Sequence, residues 1–249
     1  MIKLSERLEI IANLIDENET MADIGTDHGF LPIALWERGI CKKIILSDIN
    51  KGPLEKASEN IKATKHGIEF DLRLGNGLET ILPREVSTLV IAGMGGALIT
   101  EILAADLEKS KSFEKIILQP RNGQSKLRYW LLENGFNITK EELVKEGLYI
   151  CEIIVAKPIY KESNENISWL GINFELPGIE MIKGNQLIRE FVEKKIKTEK
   201  KIINKIISGG NKEFPLNNEK ILRSEGRIIF MEKYLEKVDE KNGNHICGV

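Results

Sequence analysis

Apolar positions recur along the first 160 residues in two rhythms. Over residues 4–15 they fall at 4, 8, 11, 12 and 15, the spacing of an amphipathic helix, with Ser5 placed to cap it. Residues 21–24 give a short apolar strand, and the apolar run 30–36 starts a helix that ends near Gly39. Residues 43–46, 70–74, 88–92 and 115–118 read as further strands. Helical patterns at 53–65, 97–107 and 125–134 alternate with them. The run 88–92 is apolar without a break, the mark of a parallel strand buried on both faces. Residues 136–144 and 149–156 read as a terminal pair of strands, an edge hairpin on the sheet. The alternation predicts a doubly wound α/β domain.

The rhythm then changes. Residues 161–166 are polar and linker-like, and the pattern is helical from Asn185. Val192, Ile196, Ile203 and Ile206 share one stripe, interrupted by Glu199. A turn follows at Ser208-Gly209-Gly210-Asn211. In a second helix over 218–238, Ile221, Ile228 and Leu235 repeat every seven residues, as do Met231 and Val238. The expectation is an antiparallel two-helix coiled coil. The predicted domains are 1–160 and 161–249.

Composition narrows the classes. The 249 residues are 42% hydrophobic, enough for a real core, and carry a net charge of −2. Any nucleic-acid surface must therefore be local. Residues 161–249 hold 16 Lys/Arg against 14 Asp/Glu, while the first 160 hold 20 against 24. Lys194, Lys195, Lys197, Lys200, Lys201 and Lys205 crowd one helix. They form either a solvated face or an arm that tracks phosphates. The three cysteines, Cys41, Cys151 and Cys247, show no metal or disulfide spacing. The start lacks a signal peptide's apolar core, and no run approaches the ~20 residues of a membrane span. A cytoplasmic protein without a bound metal is expected.

Candidate chemistry gathers at the strand ends. Residues 23–29 read Asp-Ile-Gly-Thr-Asp-His-Gly, between a strand and a helix. Glycine allows close backbone approach, and a helix start leaves amides free for a polar ligand. The spacing is not the Gly-x-Gly-x-x-Gly that holds a pyrophosphate. Asp23 and Asp27 suit a cationic ligand, and S-adenosylmethionine (SAM) carries a sulfonium and an ammonium. The alternative is an ordinary α/β turn. Asp48 follows about 20 residues on, where a carboxylate can accept from both ribose hydroxyls. It can also serve as a helix cap. Gly75-Asn76-Gly77-Leu78 is a turn whose short polar side chains could meet an adenine edge. Gly93-Met94-Gly95-Gly96 ends a central strand, at the edge where such sheets bind ligands. A helix-packing turn is the other reading of those glycines.

Together, residues 23–32, 47–54, 75–78, 91–96 and 118–120 resemble the bacterial tRNA (adenine-N1)-methyltransferase family, which modifies adenine 22 of tRNA. The resemblance is close over residues 1 to about 160 and looser beyond. It implies a Rossmann-like class I methyltransferase domain with a C-terminal coiled coil. SAM is the implied cofactor and tRNA the implied partner. Asp23, Gly25, Thr26 and Gly29 fall on its methionine end, and Asp48 with Ile49 and Asn50 on the ribose. Asn76 and Gly77 fall near the adenine, and Gly93, Met94 and Gly95 near the transferring methyl. The family pattern usually has aspartate where Asn76 stands, whose carbonyl can still accept from the adenine amino group.

Adenine N1 is already an unprotonated nucleophile, so no general base is required. Asp27 is the candidate to stabilise the cationic product, with His28 orienting the base. A base extruded from tRNA needs a stacking partner, for which Phe30 and Tyr149 are the aromatic candidates. Two rivals remain. One is a SAM methyltransferase on a protein, small molecule or other RNA, and the other a non-catalytic tRNA-binding protein. A monomer is expected.

Overall fold

Leu89 and Ile91 bury in one core cluster and Val90 in a second, on the opposite side of the sheet. That is why residues 88–92 read as continuously apolar: a central strand has no solvent face. The computed structural model describes residues 2–41, 43–64, 70–159, 174–182, 184–209 and 219–241. The chain divides into two units, Met1–Trp169 and Leu170–Val249. The polar stretch 161–166 and the turn residues Gly210 and Asn211 lie outside the described residues.

The first unit runs α1 (Glu6–Asn13), β1 (Met21–Ile24), α2 (Phe30–Glu37), β2 (Ile44–Asp48), α3 (Lys51–Ala63), β3 (Asp71–Leu74), a 3₁₀ turn (Gly77–Thr80) and β4 (Thr88–Met94). It continues with α4 (Gly96–Ala104), α5 (Leu107–Ser110), β5 (Lys115–Pro120), α6 (Gln124–Glu133), β6 (Phe136–Glu146) and β7 (Tyr149–Pro158). The sheet order is β3-β2-β1-β4-β5-β7-β6. The first five strands are parallel, and β7 pairs antiparallel with both β5 and β6. This is the expected Rossmann-like architecture. Ser5 caps α1, its Oγ accepting from the Leu8 amide at 3.4 Å. Gly39 follows α2 with φ +72°, the left-handed stop its position suggested.

Some elements differ from expectation. The pattern over 97–107 is two helices, because the Asp106 side chain accepts from the Lys109 amide at 2.9 Å and caps a new one. The turn at 75–78 runs into 3₁₀ helix. The third helix starts at Lys51 with Asn50 at its cap, so Asp48 is a strand residue and not the cap. Between α6 and the β6–β7 hairpin lies a buried ionic triad. Arg128 donates to Glu141 at 2.7 Å and to Glu152 at 2.5 Å.

The second unit holds α7 (Ile188–Gly209) and α8 (Glu219–Lys241). Ser208 and Gly209 belong to α7, so the helix runs further than the glycines suggest. Arg189, in the first turn of α7, pairs with Asp239 near the end of α8 at 2.5 Å, so the helices are antiparallel. Val192, Ile196, Ile221, Met231 and Val238 are buried. Glu199, which interrupts the stripe, is buried and accepts from Arg227 at 3.1 Å. No described helix is long and apolar enough to cross a membrane.

Candidate functional site

Because β1 is flanked by β2 and β4, the carboxyl ends of these three strands lie side by side. Asp23 is opposite Leu46 of β2 and Val90 of β4. Side chains alternate along a strand, so Asp23 shares the face of Met21, and Asp48 that of Leu46. Both of those residues belong to the core cluster shared with α1 and α2. The two carboxylates therefore stand on one side of adjacent strands. Asp23 is buried, and that burial raises its carboxyl to about 6, with the negative charge of Asp48 adding to the rise.

The loop after Asp23 is latched to β2. The Gly25 and Thr26 amides both donate to the Ser47 carbonyl, at 2.7 and 3.2 Å. Gly25 has φ +75°, and a Cβ there would meet the Met94 methyl at 1.9 Å. The left-handed backbone is what requires glycine, since the Met94 methyl is the far end of a flexible side chain that can swing aside. The buried Thr26 hydroxyl lies near the Asp23 carboxylate yet makes no hydrogen bond of good geometry. Gly29 is also left-handed, at φ +67°, and a Cβ would press on Ala57 and Leu46 at 3.2 Å. Two strand-end carboxylates around an unsatisfied hydroxyl and a bare glycine backbone fit a cationic ligand with a ribose, as SAM is.

Asp48 Oδ1 accepts from the Asn50 amide at 2.7 Å, which fixes the carboxylate and leaves its other oxygen for a ligand. Ile49 is 61% exposed beside it, and Asn76 is exposed at the head of the 3₁₀ turn. Gly77 has φ +51°, and a Cβ would crowd Ile102 at 3.1 Å. Asp48→Ala is expected to weaken SAM binding by about 10- to 150-fold, the loss of a charge-assisted hydrogen bond of about 1.5–3 kcal/mol. Calorimetry checks this, and a folded variant with parental affinity would remove the ribose role.

Asp27 is 76% exposed and lies 3.3 Å from His28 Nε2. His28 adopts φ +63°, a left-handed conformation uncommon outside glycine. Asn60 of α3 holds it there, donating from Nδ2 to the His28 carbonyl at 2.8 Å. The His28 ring stacks on Phe30, with centroids 5.2 Å apart and planes 9° from parallel. Asn60 carries no signal in the sequence, where it is one polar residue in an ordinary helix.

The four residues Gly93–Gly96, from the end of β4 into α4, divide by role. Gly93 is a left-handed bulge residue, φ +77°, at a register shift between Ala92 and Met94. Gly95 caps α4. Gly96 is a packing glycine, since a Cβ would lie 2.7 Å from the Asn122 carbonyl. The packing reading of the motif therefore holds at Gly96. The Gly93 amide donates to Gln119 Oε1 at 3.1 Å, and Arg7 Nη1 donates to the same oxygen at 2.9 Å. Arg7 Nε also pairs with Glu146 at 2.9 Å. Arg7, Gln119 and Glu146 border a cleft of about 340 Å³ at the end of β5 and the start of β7, lined also by Arg121, Gln124 and Tyr149. Arg7, Gln119 and Arg121 were not among the expected site residues. Only the Leu-Gln-Pro segment at 118–120 hinted at them.

Residues 4–154 match the family model described as a methyltransferase domain. The chain is 35% identical over 156 residues to a tRNA (adenine(22)-N(1))-methyltransferase from Bacillus subtilis. That match covers 63% of this chain and 66% of the relative. Among solved structures, M. capricolum TrmK, in complex with S-adenosylhomocysteine, superposes with a TM-score of 0.78 at 29% identity. It covers 94% of this chain and 99% of its own. The B. subtilis m1A22 tRNA methyltransferase TrmK gives a TM-score of 0.72 at 27% identity, covering 94% and 99%.

Proposed function

Because the chain belongs to the SAM-dependent methyltransferases, in the family of the bacterial tRNA (adenine-22) N1-methylating enzymes, we propose that it methylates N1 of adenine 22 in tRNA. The observation that carries the reading is the Asp23–Asp48 pair on one side of adjacent strand ends, around the left-handed Gly25. SAM supplies the electrophilic methyl group. Asp23 and Thr26 would hold its methionine end over Gly25, and Asp48 its ribose. Asn76 and Gly77 would meet its adenine, and the Gly93 bulge would lie on the acceptor side. Asp27 offers an exposed carboxylate that stabilises positive charge as it appears on the acceptor base. His28, held by Asn60, keeps that carboxylate and the ring stack in place.

The test is mass spectrometry of nucleosides from tRNA incubated with the protein and SAM. N1-methyladenosine is expected, and its absence overturns the reading. Methylation of a protein or small molecule instead would support the rival acceptor classes.

The second unit supplies the tRNA contact in this reading. Lys194, Lys197, Lys201 and Lys205 are exposed and, at helical spacing, share one face of α7. Lys195 belongs to a different contact, with its Nζ 4.9 Å above the Phe191 ring. Lys194 pairs with Glu190 at 2.8 Å, an exposed bond that a phosphate can replace at little cost. Replacing Lys194, Lys197 and Lys201 with glutamine is expected to weaken all tRNAs alike. It should flatten the slope of log affinity against log salt by about one for each phosphate no longer neutralised, with SAM affinity unchanged. An unchanged slope would leave α7 a structural element only.

A further inference from the structure

We propose that the cleft at the end of β5 and the start of β7 is the seat of a nucleotide of the RNA, with Arg121 taking its phosphate and Tyr149 stacking on its base. This rests on the methyltransferase reading and names residues for its acceptor side. Three observations carry it. The first is position: Gln119 lines the cleft and also bonds the Gly93 amide, so the cleft adjoins the bulge that ends β4. The second is the state of the side chains. Tyr149 is 77% exposed, an aromatic face turned to solvent at the mouth of a cavity. Arg121 is exposed and forms no ion pair among the described residues, whereas Arg7 beside it is committed to Glu146 and Gln119. The cleft's size, about 340 Å³, suits one nucleotide unit, and Pro120, Ile150 and Cys151 give it apolar wall.

The third observation is electrostatic. The Arg121 backbone amide donates to the Met94 carbonyl at 2.7 Å, which ties the residue to the end of β4. Its guanidinium leans over Gly93, where a Cβ would lie 3.7 Å from Nη2. Glu146, already paired with Arg7, feels Arg121 only through space, and a cation without its own ion pair there opposes a reaction whose product base is itself cationic. A phosphate removes the conflict, because it neutralises the guanidinium bidentately while leaving Asp27 to face the base. The same arginine in a cleft for a neutral small acceptor would only raise the barrier.

Four substitutions test this in the full chain: Tyr149→Ala, Tyr149→Phe, Arg121→Gln and Arg121→Lys. The readouts are tRNA affinity against salt, kcat and KM for tRNA, SAM affinity, and melting temperature. Tyr149→Ala should lower kcat/KM for tRNA by about 5- to 150-fold, the range for removing one base–aromatic stack, while Tyr149→Phe restores it. Arg121→Gln should lower the salt slope by about one, and Arg121→Lys should keep the slope with weaker binding. SAM affinity and melting temperature should hold in all four. Adenosine monophosphate should compete with tRNA in the parent and fail to compete in Tyr149→Ala. If the parent methylates tRNA and both Tyr149→Ala and Arg121→Gln match it, the cleft assignment falls alone. If the parent neither binds nor methylates tRNA, the functional reading falls and takes this one with it. A loss confined to SAM affinity would move both residues to the cofactor side and overturn the proposal.

Discussion

Asp23→Asn is expected to melt higher than the parent at neutral pH and to bind SAM far more weakly. The two effects have one source. The Asp23 carboxyl is 8% exposed, and burial raises it from its ordinary 3.8 to about 6. Its neutral form is therefore favoured in the fold. The stability this gives is fully present below about pH 3.8 and is lost as pH rises through about 6. Above that, the ionised buried group costs roughly 3 kcal/mol, the equivalent of a shift of about two units. Asparagine never ionises, so the variant should escape that cost and lose the stability slope between about pH 4 and 6. The same charge is what a cationic methionine end would pair with. Removing one partner of a desolvated charge pair costs about 2–5 kcal/mol, or roughly 30- to 5,000-fold in affinity. Saturating SAM should therefore reverse the order of melting temperatures. Acidifying the parent through about pH 6 should also weaken SAM binding. A folded variant with unchanged SAM affinity would show that Asp23 is only a core residue.

The second large effect falls on turnover. Asp27→Ala should lower kcat by about 10²- to 10³-fold, the size seen when one preorganised electrostatic partner of a transition state is removed. Asp27 is 76% exposed, so its truncation removes little packing and should leave melting temperature and SAM affinity almost unmoved. Asp27→Asn should lose nearly as much, because the carboxylate's charge and not its shape opposes the charge on the base. Single-turnover rates with saturating tRNA separate this from weakened docking. A variant that methylates at the parental rate would make the Asp27–His28 contact structural.

The loops were more legible than the cleft. Gly25 and Gly29 stand out in the sequence because left-handed backbone and close packing select glycine locally, and both turn out to be left-handed. The central strands were legible because β4 lies between two neighbours and must be apolar on both faces. Their ends were less so. Met94 and Pro120 extend β4 and β5, since a bulge at Gly93 keeps the strands paired beyond the apolar run. The break at Asp106 was hidden because Leu103 and Leu107 keep a helical spacing across it. Arg7 comes from α1, Gln119 and Arg121 from the end of β5, and Tyr149 from the start of β7. No local pattern links them, and only the register of the sheet brings them to one cleft.

The order β5-β7-β6 also bears on how the chain is made. β5 gains its second neighbour only from β7, the last strand of the sheet, whose Val155 and Ala156 pair with Ile117 and Ile116. During synthesis the outer edge of β5 therefore stays open until residue 158 has cleared the ribosome. An open, apolar strand edge is a template for intermolecular pairing. The matched methyltransferase region ends at residue 154, inside β7. A fragment cut there would lack two of the three residues that cover β5, along with the end of the hairpin that Arg128 clasps. Such a fragment is an aggregation hazard, whereas one that runs past Pro158 keeps the edge closed.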